Sequence, residues 1–290
     1  VRIINLETSV TRSETWQPKN INYRMHPDNI PCITAAGIDC CVLANNHVLD
    51  FGEAGLEETL DTLKRAGLSV AGAGRNRDEA SAPAVLALPG GGRVLVFAFG
   101  SETSGISRDW AATAKMSGIN RLDDLSERTV RQIAAQVESV RRPGDIVVAS
   151  IHWGENFSYA IPPEQQRFAR ALIDEAGVAV VHGHSSHHVK GIEVYRERPI
   201  LYGCGDFLND YEGIHGYETY RGDLGLMYFV TVERATGRLL HLDMTPTRIR
   251  CFQVRRAEAG EAQWLWQVLK RESAPFGVDV VLRDDHRLQL

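Results

Sequence analysis

Short apolar runs and amphipathic stripes alternate along the first two thirds of the chain. The apolar runs are typical of buried strands, and they lie at 38–44, 68–71, 93–99, 146–151 and 178–181. Between them, apolar residues recur every three or four positions, which predicts helices. These helices span 53–66, 126–140 and the segment from Pro162 to Gly177.

The last third of the chain has a different pattern. Its apolar runs follow one another without an intervening helical stripe, which predicts antiparallel strands at 200–202, 226–232 and 239–249. A helix is expected near 262–270. The whole pattern predicts a mixed α/β sandwich that forms one domain over residues 1–290. The polar motifs lie within 1–210, and 211–290 complete the domain with strands and a helix.

The polar motifs share one position, the turn directly after an apolar strand, where open α/β sheets bind ligands. Asn45, Asn46 and His47 follow the strand at 38–44, and Asp50 comes three residues after His47. Asn46 offers a neutral oxygen ligand, and His47 exchanges a proton near neutral pH. Asp50 can orient the His47 ring if a helix begins here. The alternative is a helix cap with a surface histidine.

Histidines mark two further strand ends. His152 follows the strand at 146–151, and alone it is most simply explained as a core histidine with satisfied hydrogen bonds. Four histidines crowd into 182–188, and His184 and His187 are three positions apart. Converging imidazoles are costly to bury unless a metal or an acidic group compensates them. A solvated histidine-rich loop is the alternative for this segment.

Carboxylates complete the set of strand-end side chains. Asn5 and Glu7 follow a short apolar run near the start, and Asp206 ends a strand–glycine segment that is otherwise explained as a turn. Glu, Asn and His ligands of mixed hardness suit Mn, Fe or Zn better than Mg or Ca, which prefer oxygen ligands alone.

Composition narrows the class of protein. The 290 residues carry 32 Lys and Arg against 37 Asp and Glu, and this net charge of −5 argues against a nucleic-acid or anionic-membrane binder. No apolar run reaches the ~18 residues that span a bilayer. Five cysteines without CxxC spacing predict reduced thiols and a cytoplasmic protein. The chain also lacks GxGxxG and GxSxG, which disfavours a dinucleotide-binding fold and a serine hydrolase.

The motifs NLE, ANNHxxDxG, HWG and GHxxH, with the strand–glycine segment at 201–207, occur in the order found in CapA-like proteins of poly-γ-glutamate capsule synthesis. The chain resembles this family, a branch of the calcineurin-like metallophosphatases, from Asn5 to about Asn209. The resemblance implies a four-layer α/β/β/α sandwich with a divalent metal site, expected to hold two ions of Mn, Fe or Zn.

The resemblance also implies roles for particular residues. The implied metal ligands are Glu7, Asn46, His152, His184 and His187, with Glu7 in place of a bridging aspartate. His47, together with Asp50, would be catalytic as the general acid at the leaving group. Asn5, Asn45 and Asp206 would support these residues or contact the substrate.

The chain departs from the family pattern at two places. Relatives have an upstream strand that ends in Gly-Asp, and no equivalent precedes Val1. If the sequence is truncated, its site is expected to lack the first strand and one ligand. Ser185 and Ser186 stand where many relatives have His-Pro.

Three functions remain open from the sequence. The first is a metal-dependent hydrolase of a phosphoester or of an amide such as a γ-glutamyl bond, acting on a small or polymeric anionic substrate. The second is a non-catalytic accessory protein that binds an anionic polymer or a synthase partner. The third is a metal-free α/β domain with a histidine-rich rim. Typical capsule members resemble membrane-anchored proteins, whereas this sequence shows no anchor.

Overall fold

Two units, Val1–Trp153 and Gly154–Leu290, divide the chain in a computed structural model that describes residues 1–210 and 214–290. Both units contain helices and strands, so the prediction of an α/β protein is confirmed. Within the described residues, no helix has the length and apolar character that crossing a membrane requires. All five cysteines are free thiols.

The first unit contains ten strands and four α-helices. In chain order they are β1 Ile3–Asn5, β2 Ser9–Val10, β3 Arg24–Met25, α1 Pro31–Ala35, β4 Cys40–Val42, α2 Gly52–Arg65, β5 Ser69–Ala71, β6 Ala73–Gly74, α3 Arg77–Ser81, β7 Ala84–Ala87, β8 Arg93–Gly100, β9 Gly118–Ile119, α4 Glu127–Val140 and β10 Ile146–His152. Single 3-10 turns lie at Pro27–Asn29, Glu102–Ser104 and Arg108–Trp110.

Parallel pairing brings the strand ends of the first unit to common edges. The strands β1, β4 and β5 form a three-stranded sheet in that order, with Asn5 opposite Val42. β10 pairs in parallel with β8, with His152 opposite Gly100, and β7 joins β8 as an antiparallel hairpin. The residues that follow β1 and β4 therefore leave the same edge of one sheet.

The long helices of the first unit lie where the apolar spacing predicts them. In α2, Leu56, Leu60 and Leu63 are buried in the core, and the helix ends at Arg65, just before Gly67 turns the chain with φ +76°. In α4, the Ser126 side chain accepts a hydrogen bond from the Thr129 backbone, which caps the first turn.

The described residues of the second unit, 154–210 and 214–290, form eight strands and two α-helices. They are α5 Pro163–Ala176, β11 Val180–His184, β12 Ile192–Tyr195, β13 Arg198–Leu201, β14 Leu224–Val232, β15 Leu239–Arg250, β16 Gln253–Arg256, α6 Ala259–Ser273, β17 Val281–Leu282 and β18 Leu288–Gln289. Single 3-10 turns lie at Glu218–Tyr220 and Ala274–Phe276.

The strands of the second unit form two groups. β11 pairs in parallel with β13, which pairs antiparallel with β12. β14, β15, β18 and β17 form an antiparallel sheet in that order, and β16 also pairs with β15. The antiparallel strands predicted at 226–232 and 239–249 are thus confirmed, whereas the strand predicted at 200–202 pairs antiparallel with β12 and in parallel with β11. The strand predicted at 178–181 instead runs from Val180 to His184, so His184 is its last residue.

Candidate functional site

Asn45 ties two strand-end loops of the first unit together. Its fully buried side chain accepts hydrogen bonds from the backbone nitrogens of His47 at 3.1 Å and Val48 at 3.0 Å. Its amide nitrogen donates to Leu6 O at 2.9 Å and to Asn5 Oδ1 at 3.0 Å. The turn after β4 is therefore fixed to the loop after β1. These hydrogen bonds are enough to explain the burial of Asn45 without any contact between Asn45 and a ligand.

Three predicted metal ligands lie together in the first unit. The Nε2 atom of His152 lies 3.1 Å from Asn46 Oδ1 and 3.8 Å from Glu7 Oε1. Asn5 Nδ2 donates to the other Glu7 oxygen at 2.9 Å, which orients that carboxylate. His152 is fully buried, and the backbone nitrogen of Ser101 donates to its carbonyl at 2.9 Å.

Two glycines allow this convergence. A Cβ atom at Gly72, where φ is +88°, would lie 2.7 Å from the Cβ atoms of both Ala44 and Ala98. A Cβ atom at Gly100 would lie 3.0 Å from the carbonyl oxygen of Ala44. Because Gly100 is opposite His152 in the sheet, the close approach at these glycines places Asn46 beside His152.

His47 and Asp50 form a buried pair. His47 Nδ1 lies 2.6 Å from Asp50 Oδ2, as the spacing of three positions predicts, although α2 begins only at Gly52. Asp50 is fully buried, and its Oδ2 also accepts a hydrogen bond from the Tyr23 backbone nitrogen at 2.6 Å. The Tyr23 ring packs on the His47 ring with centroids 4.1 Å apart.

Lys19 is a member of this site that sequence reasoning missed. Its ammonium group donates to the carbonyl oxygen of Asn46 at 2.6 Å and forms an ion pair with Asp50. Lys19 lies in an irregular segment between β2 and β3, far from Asn46 in sequence, and no local pattern marks it.

In the second unit, His187 and Asp206 are brought together. His187 Nδ1 lies 3.1 Å from both carboxylate oxygens of Asp206, and Asn209 Nδ2 donates to Asp206 Oδ2 at 3.0 Å. An acidic partner on Nδ1 fixes the orientation of an imidazole, as is common for metal-binding histidines. Gly205 has φ +73°, and a Cβ there would lie 3.0 Å from the His188 carbonyl carbon, so glycine permits this packing.

His184 ends β11 and is 5% exposed. Ser185 follows with φ +111°, a value that L-residues rarely adopt, and its hydroxyl donates to Gly154 O at 3.2 Å. The backbone nitrogen of His187 donates to Asn156 O at 3.0 Å. These bonds fix the bend between the two predicted ligands.

Of the other two histidines of the cluster, His188 is buried and His182 is half-buried. His188 Nδ1 lies 3.0 Å from the Val189 carbonyl, and its Nε2 accepts from Ser158 N at 3.2 Å, which fixes a neutral ring. Burial lowers the pKa of His188 to about 4. Burial likewise lowers the pKa of His182 to about 4. Neither was predicted as a ligand, and the buried His188 is better explained by packing.

The donor atoms of the first unit fit a metal ion in their chemistry. Across residues 1–210 and 214–290, no group of three or more His, Cys, Asp or Glu side chains is arranged to hold a metal ion. His152 lies beside the amide oxygen of Asn46 and the carboxylate of Glu7, so that amide oxygen is available as a third donor. A carboxylate, an amide and an imidazole together suit Mn, Fe or Zn.

Comparison with known proteins places these motifs in a family. Residues 1–211 match the family described as bacterial capsule synthesis protein PGA_cap. The chain is 44% identical over 292 residues to a "Probable polyglutamine synthesis accessory protein" of Mycobacterium tuberculosis. The aligned region covers 100% of this chain and 77% of that protein.

Two relatives carry the CapA name. The capsule biosynthesis protein CapA of Bacillus anthracis is 30% identical over 192 residues, 66% of this chain and 45% of that protein. The PGA biosynthesis protein CapA of Bacillus subtilis is 26% identical over 247 residues, 84% of this chain and 60% of that protein. The chain therefore belongs to the CapA-type family of bacterial capsule and polyglutamate biosynthesis proteins.

Proposed function

We propose that this CapA-type protein is a metal-dependent hydrolase that cleaves a phosphoester, or an amide such as a γ-glutamyl bond, in an anionic substrate. One observation carries the proposal: His152 lies beside both Asn46 and Glu7, while His47, the residue after Asn46, forms a buried pair with Asp50. One proposed metal donor, Asn46, and a proton-transfer group, His47, are thus adjacent on a single turn.

Glu7, Asn46 and His152 would hold a divalent ion of Mn, Fe or Zn, and we propose His184 and His187 as further ligands of a two-ion site. Such ions supply a hydroxide nucleophile and neutralise charge on the substrate oxygen. Other side chains of the protein hold the proposed ligands in position. Asn5 orients Glu7, Asn45 fixes the turn, and Asp206 orients His187.

His47 would protonate the leaving group. The Asp50 carboxylate can only accept a hydrogen bond, so the 2.6 Å contact places the ring hydrogen on Nδ1 when the imidazole is neutral. The proton for the leaving group is then exchanged at Nε2. We also propose that the chain adopts the four-layer α/β/β/α sandwich that the resemblance implies.

Hydrolysis of generic phosphodiester and phosphomonoester substrates with added Mn²⁺ tests the proposal. We expect turnover by the natural chain and its loss in Asn46→Ala/His184→Ala. The matched control is Asn29→Ala/His241→Ala, which removes an exposed asparagine and an exposed histidine and should keep full activity. No turnover of these substrates or of γ-glutamyl peptides by the natural full-length protein would overturn the hydrolase proposal.

The second candidate is a non-catalytic accessory protein, and the name of the Mycobacterium tuberculosis relative favours it. In that case the strand-end histidines would hold a structural metal or bind carboxylates of an anionic polymer. Equilibrium binding of poly-γ-glutamate separates the two: binding by the natural protein without turnover, weakened in Asn46→Ala/His184→Ala, supports the accessory function.

A further inference from the structure

In the part of the chain that the structure describes, three arginines of the hairpin formed by β15 and β16 form no ion pair. They are Arg250, Arg255 and Arg256, and all three are exposed. Arg255 donates a hydrogen bond to the neutral side chain of Gln253 at 2.8 Å. Since a guanidinium group stays protonated in proteins, the hairpin presents three positive charges to the solvent.

Arg248, the fourth arginine of the hairpin, has acidic partners. It forms ion pairs with Asp223 and Glu261, and Arg221 pairs with the same two carboxylates, so these four charges compensate one another. Glu258 follows the hairpin, and its carboxylate caps the first turn of α6 by accepting from the Glu261 backbone nitrogen. Three unpaired arginines less one glutamate leave the hairpin an excess of two positive charges.

The register of the hairpin fixes where its arginines lie. Arg248 is opposite Arg255, and Arg250 is opposite Gln253. Since alternate residues of a strand share a face, Arg250 and Arg255 lie on one face of the hairpin and Arg256 on the other. Among the described strands, β16 pairs with β15 alone, so its side chains reach the solvent from both faces. Arg250, Arg255 and Arg256 thus form an arginine edge of the sheet.

The same sheet reaches the carboxylate that orients His187. Thr247 is opposite Arg256 in β16 and opposite Gly225 in β14. A Cβ atom at Gly225 would clash with the backbone oxygen of Asp206 and lie 3.3 Å from Thr247 Oγ1, so Asp206 packs on this face. Neighbouring strands are ~4.8 Å apart, which places Arg256 about 10 Å across the sheet from Gly225. The arginine edge therefore lies beside the His187–Asp206 pair.

The chemistry of the arginine edge fits a chain of carboxylates. A planar guanidinium group binds a carboxylate through two parallel hydrogen bonds, but a single exposed pair is weak. Carboxylates linked in one polymer contact several arginines at once, so weak contacts add up to useful affinity. Nucleic acid fits less well, because proteins that bind its dense phosphates carry a basic excess, whereas this chain has a net charge of −5.

We propose that the arginine edge is a subsite that binds a linear polycarboxylate on its way to the His187–Asp206 pair. The choice of a polymeric carboxylate substrate rests on the proposed function, which leaves phosphoesters and γ-glutamyl amides open. Binding at the edge is a property of the chain and needs no turnover. The arginines hold the polymer and take no part in cleaving a bond.

Fluorescence anisotropy of dye-labelled poly-γ-glutamate, titrated with the natural full-length protein at low ionic strength, tests the subsite. We expect longer polymers to bind more tightly than short oligomers, and added NaCl to weaken the binding. The hairpin variant Arg250→Gln/Arg255→Gln/Arg256→Gln should bind the long polymer about tenfold or more weakly, because it loses three charged contacts.

A matched control separates the hairpin from net charge. Arg128→Gln/Arg131→Gln/Arg141→Gln removes three exposed arginines of the first unit and should bind nearly as the natural chain does. Equal affinities of the natural chain and the hairpin variant would overturn the subsite, and so would equal losses in the two triple variants. Tighter binding of a single-stranded oligonucleotide than of poly-γ-glutamate of similar length would also contradict a polycarboxylate subsite.

Turnover separates the subsite from the hydrolase proposal. If the natural protein cleaves poly-γ-glutamate, the hairpin variant should raise KM for the long polymer about tenfold with kcat little changed. Its KM for a small substrate should stay the same, since a small molecule does not span the arginine edge. If the natural protein cleaves nothing, the hydrolase proposal fails while the anisotropy titration still decides whether the subsite exists.

Discussion

At the scale of single residues, buried polar side chains hold the candidate site in place. The Asn45 side chain both donates and accepts hydrogen bonds inside the protein. The Asp50 carboxylate contacts Lys19, Tyr23 and His47. The sequence predicted that these strand-end residues would be important, because polar groups after apolar strands stand out. It did not predict Lys19, since that contact depends on how an irregular loop folds back.

The general-acid role of His47 is tested by His47→Ala. We expect turnover to fall by ~10²–10⁴-fold while the metal content of the purified protein stays the same, because the imidazole transfers a proton and is not a ligand in this scheme. Steady-state kinetics and elemental analysis measure the two quantities. Loss of metal in His47→Ala would make His47 a ligand and end the acid assignment, and His241→Ala is the matched surface control.

The structural role of Asn45 is tested by Asn45→Ala. The substitution leaves the backbone nitrogens of His47 and Val48 and the carbonyl of Leu6 without their partner inside the core. Each buried group left unsatisfied costs ~1–3 kcal/mol, so three such groups should lower the free energy of unfolding by about 3 kcal/mol or more. Urea denaturation measures it. A change as small as that of the exposed control Asn29→Ala would contradict this role.

At the scale of secondary-structure elements, the sequence predicted the long helices and the main strands well. Helices such as α2 and α4 carry apolar residues at regular spacing, and this pattern depends only on neighbouring positions. The two-residue strands β2, β3, β6 and β9 were not predicted, because a strand of that length has no periodicity. The close contacts at the glycines between β4 and β8 also could not be predicted from the sequence, since they join residues far apart in the chain.

The close approach between these strands is tested by Gly72→Ala. Gly72 and Gly67 both have positive φ, but a Cβ at Gly72 would lie 2.7 Å from two other Cβ atoms, whereas at Gly67 nothing lies within 4 Å. Both variants carry the backbone strain of ~1–2 kcal/mol, and overpacking adds ~1–3 kcal/mol at Gly72 alone.

We therefore expect thermal or urea unfolding to show a larger loss of stability in Gly72→Ala than in the control Gly67→Ala. Gly72→Ala should also reduce turnover, because displaced strands move Asn46 away from His152. Equal losses of stability in the two variants would show that the site does not depend on this close approach.

At the scale of the whole molecule, family membership follows from motifs spread over residues 1–211 and not from any single one. The order of the motifs was readable from sequence, because each sits directly after a recognisable apolar strand. The division into two units was not predicted, since no composition change or linker marks the boundary after Trp153. Chemistry and substrate stay at the level of proposals, because a fold does not fix them.

The pH dependence of global stability reports on a buried lysine. Lys190 is 3% exposed, its ammonium donates to Ala160 O at 2.7 Å, and Glu155 and Glu272 lie near enough to oppose the shift. Burial lowers the pKa of Lys190 to about 8, against 10.5 for an ordinary lysine. Between these values the unfolded chain holds a proton that the folded chain has released, so this group makes stability rise with pH.

We expect the difference in unfolding free energy between the natural chain and Lys190→Met to change accordingly. From about pH 7.5 to about pH 9.5 the natural chain should gain about 2 kcal/mol relative to the variant. Urea denaturation at several pH values measures this difference, and the exposed variant Lys115→Met should show no such slope. A pH-independent difference for Lys190→Met would contradict the lowered pKa.

The central claim is that Glu7, Asn46 and His152 hold a metal ion beside His47. Elemental analysis of the purified natural full-length protein and of Asn46→Ala, each after loading with Mn²⁺ and removal of free metal, tests it most directly. The account predicts about two ions per natural chain, as two-ion hydrolase sites hold, and clearly fewer in a variant that remains folded. A folded natural protein that retains no metal would contradict the account.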